Sequence, residues 1–218
     1  MKSNINKIIC WDSLEVMKWM PDNSIDLILT DPPYWIWESW KSNHSRWCKA
    51  KATQYEDFWW DNFIPTKEYF DEIQRISKNA IIFWGNYFIE YLENSPCWIV
   101  RDKNNWNNDF ADCELAWTNF SSAVRKVKYT WNWMIQENMK HKEKRFHPTQ
   151  KPVWLFKWCL ENYSKEWDII LDCFWWSWTT AVACIETWRD YIVIEKEEKY
   201  CQIAENRVKN TNPPLFTI

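Results

Sequence analysis

The sequence predicts an α/β fold: a single doubly wound, mostly parallel sheet with helices on both faces. Two observations predict it. Apolar runs bounded by turn signals alternate along the chain with stretches whose apolar residues recur every three to four positions, the pattern of strands joined by crossover helices. The second is size, since 218 residues and 27.0 kDa supply enough core for one such domain and require no other.

The elements follow in order. A strand is expected at 7–10, around Ile8 and Ile9, and a helix over 13–20 with Ser13 as its cap. The run Ile25-Asp26-Leu27-Ile28-Leu29-Thr30 is the second strand, and Thr66 caps a helix over 66–76. A strand at 80–84 leads into a helix over 86–93 opened by Asn86. Short strands at 97–101, 114–117 and 124–131 are expected to add antiparallel pairing at one edge. A helix over 152–163, a strand at 168–173, a helix over 179–186, a strand at 191–195 and a helix over 197–208 complete the alternation, which belongs to a sheet covered on both faces. In this reading 1–209 is one domain, 35–62 a polar loop or small insertion, and 210–218 a tail.

A net charge of −3 and a pI near 5.7 carry no global signal for nucleic acid, so a basic partner surface has to be local. The segment 120–151 provides one. Arg125, Lys126, Lys128, Lys140, Lys142, Lys144, Arg145 and Lys151 face only Glu137 and Glu143 there, with Tyr129, Trp131 and Phe146 interleaved; a merely solvated face is the bland alternative. The eight cysteines show no close pair at metal-ligand spacing, which predicts reduced thiols with neither a disulfide frame nor a metal site. The N-terminus lacks an apolar signal core and no run approaches membrane-spanning length, so a cytoplasmic protein with no membrane partner is expected.

Glycine and tryptophan are exchanged in number. A soluble chain of this length should hold roughly 15 Gly and few Trp, whereas this one has 1 Gly and 21 Trp. Fifteen of the Trp, at 11, 19, 35, 37, 40, 47, 59, 106, 133, 154, 167, 175, 176, 178 and 188, stand where a backbone-permissive residue is expected. The other six, Trp60, Trp84, Trp98, Trp117, Trp131 and Trp158, sit among apolar neighbours as ordinary tryptophans do. The expectation is that a codon read as Gly in the source is written here as Trp.

The second strand runs into Asp31-Pro32-Pro33-Tyr34. Two prolines fix the backbone and remove two donors, leaving carbonyl acceptors beside a carboxylate and a phenol ring. An exocyclic amino group on a planar base is a poor nucleophile because its lone pair is delocalised. Accepting its two hydrogens on Asp31 and on the Pro32 carbonyl pushes the nitrogen toward tetrahedral geometry, with Tyr34 stacked on a base flipped from the duplex. This segment resembles the catalytic turn of the amino-group DNA methyltransferases.

A second segment, Asp172-Cys173-Phe174-Trp175-Trp176-Ser177-Trp178-Thr179-Thr180, follows the apolar run Ile169-Ile170-Leu171. With Gly at 175, 176 and 178 it is similar to the S-adenosylmethionine loop of that family, in which Gly permits positive φ and close backbone approach while the next helix offers its N-terminal amides to the cofactor carboxylate. The resemblance implies cofactor contacts from Asp172, Cys173, Phe174, Trp175, Ser177, Trp178 and Thr179. Glu195 closes the strand 191–195, the position from which a carboxylate accepts ribose hydroxyls. Asp12, after Trp11, resembles the family's Gly-Asp turn near the adenine amino group, with a helix cap as the competing role. The block His147-Pro148-Thr149-Gln150-Lys151-Pro152 resembles the segment that closes over the methionine end of the cofactor, which implicates Thr149 and Lys151.

The catalytic turn precedes the cofactor loop by roughly 140 residues, a permuted motif order resembling the beta class of DNA amino-methyltransferases with their Rossmann-like fold. The likeness extends over 7–208. It implies a site-specific enzyme acting on double-stranded DNA with S-adenosylmethionine, without a metal, and with a cognate restriction nuclease as a companion to look for. Asp before the two prolines favours adenine N6, with cytosine N4 as the alternative. An RNA-base or glutamine methyltransferase is disfavoured by the motif order, while a DNA-binding relative that lost its cofactor remains the alternative from another class, because three Trp in the loop would fill the pocket.

Overall fold

The second strand, β2 (Ile25–Thr30), shows how the sequence becomes a two-sided sheet. Leu27 and Leu29 face one core layer while Ile28 faces the other, and all three are buried. The structure is a computed structural model and describes residues 5–34, 64–104, 111–131, 135–143, 150–174 and 179–213. With β1 (Lys7–Cys10), β3 (Ser77–Phe83), β4 (Trp98–Asp102), β5 (Cys113–Thr118), β6 (Arg125–Lys128), β7 (Ile169–Asp172) and β8 (Asp190–Glu195), β2 forms one sheet in the order β1-β8-β7-β2-β3-β5-β4-β6. The pairings from β1 to β3 are parallel. β5 is antiparallel to both β3 and β4, and β6 runs parallel to β4 at the far edge.

Helices α1 (Ser13–Lys18) and α2 (Lys67–Ile76) cover one face. The buried side of α2, Tyr69, Phe70, Ile73 and Ile76, has the three-to-four spacing of a single apolar stripe. Helices α3 (Val153–Tyr163), α4 (Thr179–Glu186) and α5 (Glu198–Lys209) cover the other face, where Phe156, Cys159 and Leu160 pack against Leu27, Phe83 and Ile170. Among the described residues no helix is long and apolar enough to cross a membrane.

Several local expectations are corrected. No α-helix fills 86–93; a 3-10 turn at Gly85–Tyr87 and further turns stand there, because Trp84 is left-handed at φ 56° and Phe88 leaves helical angles at φ −124°. Asp12 rather than Ser13 caps α1, accepting from the backbone N–H of Leu14 at 3.0 Å. Cys10 and Cys201 are joined as a disulfide, against the expectation of thiols alone. β1 pairs with β8 and α5 folds back over β1, which brings two cysteines 191 residues apart to a Cα separation of 6.0 Å.

The described tryptophans divide only in part along their sequence surroundings, since Trp98 and Trp158 of one group and Trp188 of the other are all half-buried. Trp11, Trp19, Trp154 and Trp167, from the group at backbone-permissive positions, are exposed, whereas Trp84, Trp117 and Trp131 are buried. Trp167 and Trp188 also hold positive φ, 68° and 58°, a region costly for any side chain but small for Gly. Trp84 combines both traits, being buried yet left-handed. The single glycine, Gly85, lies where an added Cβ would stand 2.5 Å from that of Trp117. No side chain fits there.

Candidate active site

A parallel sheet puts the C-terminal ends of its strands at one edge, and in sheet order β1, β8, β7 and β2 each deliver a carboxylate to it: Asp12, Glu195, Asp172 and Asp31. Such an edge is where ligands of open α/β sheets bind. The four carboxylates differ in what holds them.

Asp31 is buried, and the Nζ of Lys151 donates to its Oδ2 at 2.6 Å. Burial pushes its carboxyl above the usual range, with Lys151 opposing. Pro32 and Pro33 follow, also buried, and Tyr34 lies half-buried with its ring 4.6 Å from Trp84 and stacked at 4.9 Å on Tyr87. The aromatic wall is therefore present beside the carboxylate.

Asp172 is a junction. Thr30 donates to its Oδ1 at 2.7 Å, Thr180 donates to Oδ2, and the Phe174 N–H donates to Oδ1 at 3.3 Å. These bonds tie the end of β2, the residues after β7 and the first turn of α4 together, and burial raises the carboxyl to about 6. Asp172 is thus engaged in shaping the loop. Cys173 is buried beside Thr30, and Phe174 packs its ring 5.2 Å from Tyr69. Thr179 opens α4 and donates to the Lys151 carbonyl at 3.0 Å.

Glu195 accepts from the Glu197 N–H at 2.8 Å, and its carboxyl is raised to about 7, chiefly by burial. Asp12 uses Oδ1 as the helix cap and has Lys196 at 3.5 Å from Oδ2. The cap, treated above as the competing role, is what the geometry shows.

Because the folded state raises the Glu195 pKa from 4.5 to about 7, it disfavours the charged form. Its contribution is fullest below about pH 4 and is lost as pH rises through about 7. Glu195→Gln is expected to stabilise the fold at pH 8 by up to about 3 kcal/mol and to change little at pH 4. Urea unfolding at the two pH values checks this, and an equal gain at both rules it out.

The basic segment divides. Arg125, Lys126 and Lys128 project from the edge strand β6, and Lys140 and Lys142 are exposed in the following turns. The segment's acids are absorbed internally. Glu137 accepts from the Thr130 N–H at 3.0 Å, and Glu143 accepts from the Val153 N–H at the start of α3 and from Gln150. Lys126 meets Asp102 at 2.9 Å. Lys151 is not part of this surface, since it is buried on Asp31. Thr149, Lys144, Arg145, Trp175, Trp176, Ser177 and Trp178, and all of 35–62, lie outside the described residues.

Three residues escaped the sequence reading. Arg101 on β4 and Glu114 on β5 are buried partners in register, with Nη1 to Oε2 at 2.7 Å, and Lys103 reaches the other Glu114 oxygen at 3.3 Å. The available signal was a lone charge of opposite sign inside each of two apolar runs, Trp98-Ile99-Val100-Arg101 and Glu114-Leu115-Ala116-Trp117. Buried charges are placed in pairs.

The chain is 30% identical to the type II methyltransferase M.HinfI of Haemophilus influenzae, covering 98% of this chain and 72% of that protein. Its fold matches the M1.HpyAVI complex with S-adenosylmethionine at a TM-score of 0.58 and 24% identity, over 92% of this chain and 98% of the other. It also matches the cytosine-N4-specific PvuII DNA methyltransferase at 0.56 and 14% identity, over 95% and 88%. Residues 91–206 match the family described as DNA methylase. The strand-end carboxylates, the Asp-Pro-Pro-Tyr turn and these similarities have one common explanation: the chain belongs to the N6/N4 amino-methylating DNA methylase family.

Proposed function

We propose that this enzyme transfers a methyl group from S-adenosylmethionine to adenine N6 of a base flipped out of double-stranded DNA, with Asp31, Pro32, Pro33 and Tyr34 as the catalytic turn. The observation that carries this reading is Asp31 itself, buried at the end of the central strand beside a stacked aromatic wall and one strand away from the Asp172 junction. The described residues fit the cofactor: Glu195 and Asp172 end neighbouring strands, and the first turn of α4 is anchored to both Asp172 and the Lys151 carbonyl. When bound, S-adenosylmethionine supplies an electrophilic methyl group. Asp31 and the Pro32 carbonyl accept the two amino hydrogens, which localises the nitrogen lone pair, and Tyr34 holds the base plane. Cofactor contacts are assigned to Glu195, Phe174, Thr179, Thr149, Ser177 and, with Gly in place of Trp, positions 175 and 178, with Asp172 and Cys173 shaping the loop. Adenine follows from Asp at the head of the turn, and cytosine N4 is the alternative outcome. Expressing the chain, with Gly at 175, 176 and 178, in a methylation-free host and sequencing the host DNA with modification-sensitive chemistry tests the reading. Absence of any modified base overturns it.

DNA contact is assigned to the exposed cations of β6 and the turns after it, with 35–62 as a second element for target reading. The domain spans 1–209, the compartment is the cytoplasm, and a cognate nuclease is the companion to search for. Neutralising Lys140, Lys142 and Lys144 together should weaken binding to all DNA sequences alike and lower the salt slope by about 2–3, because phosphate contacts release counterions without reading bases. Titrations against salt concentration measure it, and an unchanged slope returns the segment to a solvated face.

A further inference from the structure

We propose that Lys151, backed by Glu114, Arg101 and Lys103, is a positioning residue that orients the Asp31 carboxylate toward the target amino group and balances its charge. The inference rests on the proposed role of Asp31 as the acceptor. Lys151 comes from the segment before α3, and its ammonium lies 2.6 Å from Asp31 and 4.0 Å from Glu114. It also sits above the rings of Phe83 and Trp84, 5.5 and 5.6 Å from their centroids. The Lys151, Asp31 and Glu114 side chains are 5%, 10% and 6% exposed. Water screens such an array little, so each charge strongly governs its neighbours.

The composition of the array points to the reaction rather than to stability. Burying ions costs more than a well-packed apolar cluster of similar volume. Yet three cations, Lys151, Arg101 and Lys103, surround two carboxylates, Asp31 and Glu114. Arg101 donates to Glu114 through Nη1, while its Nε and Nη2 have no partner among the described residues. It therefore serves mainly as a charge that keeps Glu114 ionised. Burial pushes Glu114 up, but Arg101, Lys151 and Lys103 outweigh it and bring the carboxyl down to about 2. An ionised Glu114 keeps the Lys151 ammonium at the junction, and that ammonium holds one oxygen of Asp31.

The chemistry needs this balance. With S-adenosylmethionine bound, the amino nitrogen would form an N–C bond as the S–CH3 bond of the sulfonium breaks and its electron pair returns to sulfur, leaving a neutral thioether and a positively charged nitrogen. It then loses a proton: the N–H bond breaks, an O–H bond forms on Asp31, and the proton passes to solvent when the carboxylate regenerates. Lys151 gives up no proton in this step. Without it, burial alone would leave Asp31 protonated at higher pH and unable to accept the amino hydrogen. The charged groups acting on Asp31 are Lys151, Glu114 and Arg101, with Lys103 behind Glu114 and Asp172 linked through Thr30.

The test has two arms. In the full chain as written, the Asp31 carboxyl is titrated by 13C NMR. Lys151→Met should move its midpoint up by about one pH unit or more, Lys151→Arg should return most of that shift, and Glu114→Gln should move it down. In the chain with Gly at 175, 176 and 178, the acid limb of the single-turnover rate should shift in the same directions, with about a tenfold loss for Lys151→Met at pH 7 and cofactor affinity within about twofold. A lost cofactor affinity with an unshifted limb makes Lys151 a cofactor ligand and overturns the inference. If Lys151→Met does not fold, Glu114→Gln and Lys151→Arg still decide, and no downward shift in Glu114→Gln overturns it. Full activity of Asp31→Ala instead overturns the acceptor reading beneath it.

Discussion

Asp31→Ala is expected to lower methyl transfer by about 10²-fold or more while cofactor affinity changes little, because the lost interaction matures only as the amino nitrogen becomes tetrahedral. Asp31 sits at the end of β2, away from the Glu195 strand end assigned to the ribose. The substitution also strands the Lys151 ammonium in a buried setting, a cost of about 3–5 kcal/mol, so a fall in stability should accompany it. Asp31→Asn keeps the shape and shows whether the losses follow the charge rather than the volume. A single-turnover methylation assay alongside thermal unfolding checks both, and retention of more than about a tenth of the activity contradicts the assignment.

Replacing Trp175, Trp176 and Trp178 together by Gly is expected to restore S-adenosylmethionine binding, by tenfold or more over the chain as written. Left-handed backbone costs a side chain on the order of 1 kcal/mol or more per residue, and an indole beside the first turn of α4 also competes with the ligand for volume. The second effect dominates, since a packed fold absorbs a strained turn but a filled cleft leaves no space. Trp167 and Trp188 hold left-handed backbone, at φ 68° and 58°, without disturbing the sheet. Calorimetry on the two chains is the measurement, and equal affinity before and after refutes the exchange of Gly for Trp at the loop.

The sheet was legible because it is buried. Strands β2, β3, β7 and β8 coincide with apolar runs, and burial on both faces leaves such a strand few ways to be anything else, whereas the edge strand β6 buries Val127 alone. The turn at 85–87 was not, because the apolar spacing of Phe88, Tyr91 and Leu92 that suggests a helix comes from rings packing on Phe70 and neighbours rather than from a helical backbone. Asp31 and Asp172 could be found by their adjacency to strand ends. The contact of Lys151 with Asp31 could not, because the two stand 120 residues apart and only the fold unites them. Arg101 and Glu114 were hidden for a related reason: pairing across β4 and β5 is set by register, which composition does not express. The Cys10–Cys201 bridge depends on the same kind of return, here of α5 over β1.

The position of β2 between β3 and β7 has a consequence for how the molecule is made. β3 begins at Ser77, but β7, the neighbour on the other side, begins at Ile169. At synthesis rates of about 5–20 residues per second, β2 waits several seconds on the ribosome with one edge unpaired and Asp172 not yet present to receive Thr30. An apolar strand with an open edge is a template for wrong partners. The nascent chain therefore depends on α1 and α2, both complete by Ile76, to shield that strand until β7 emerges.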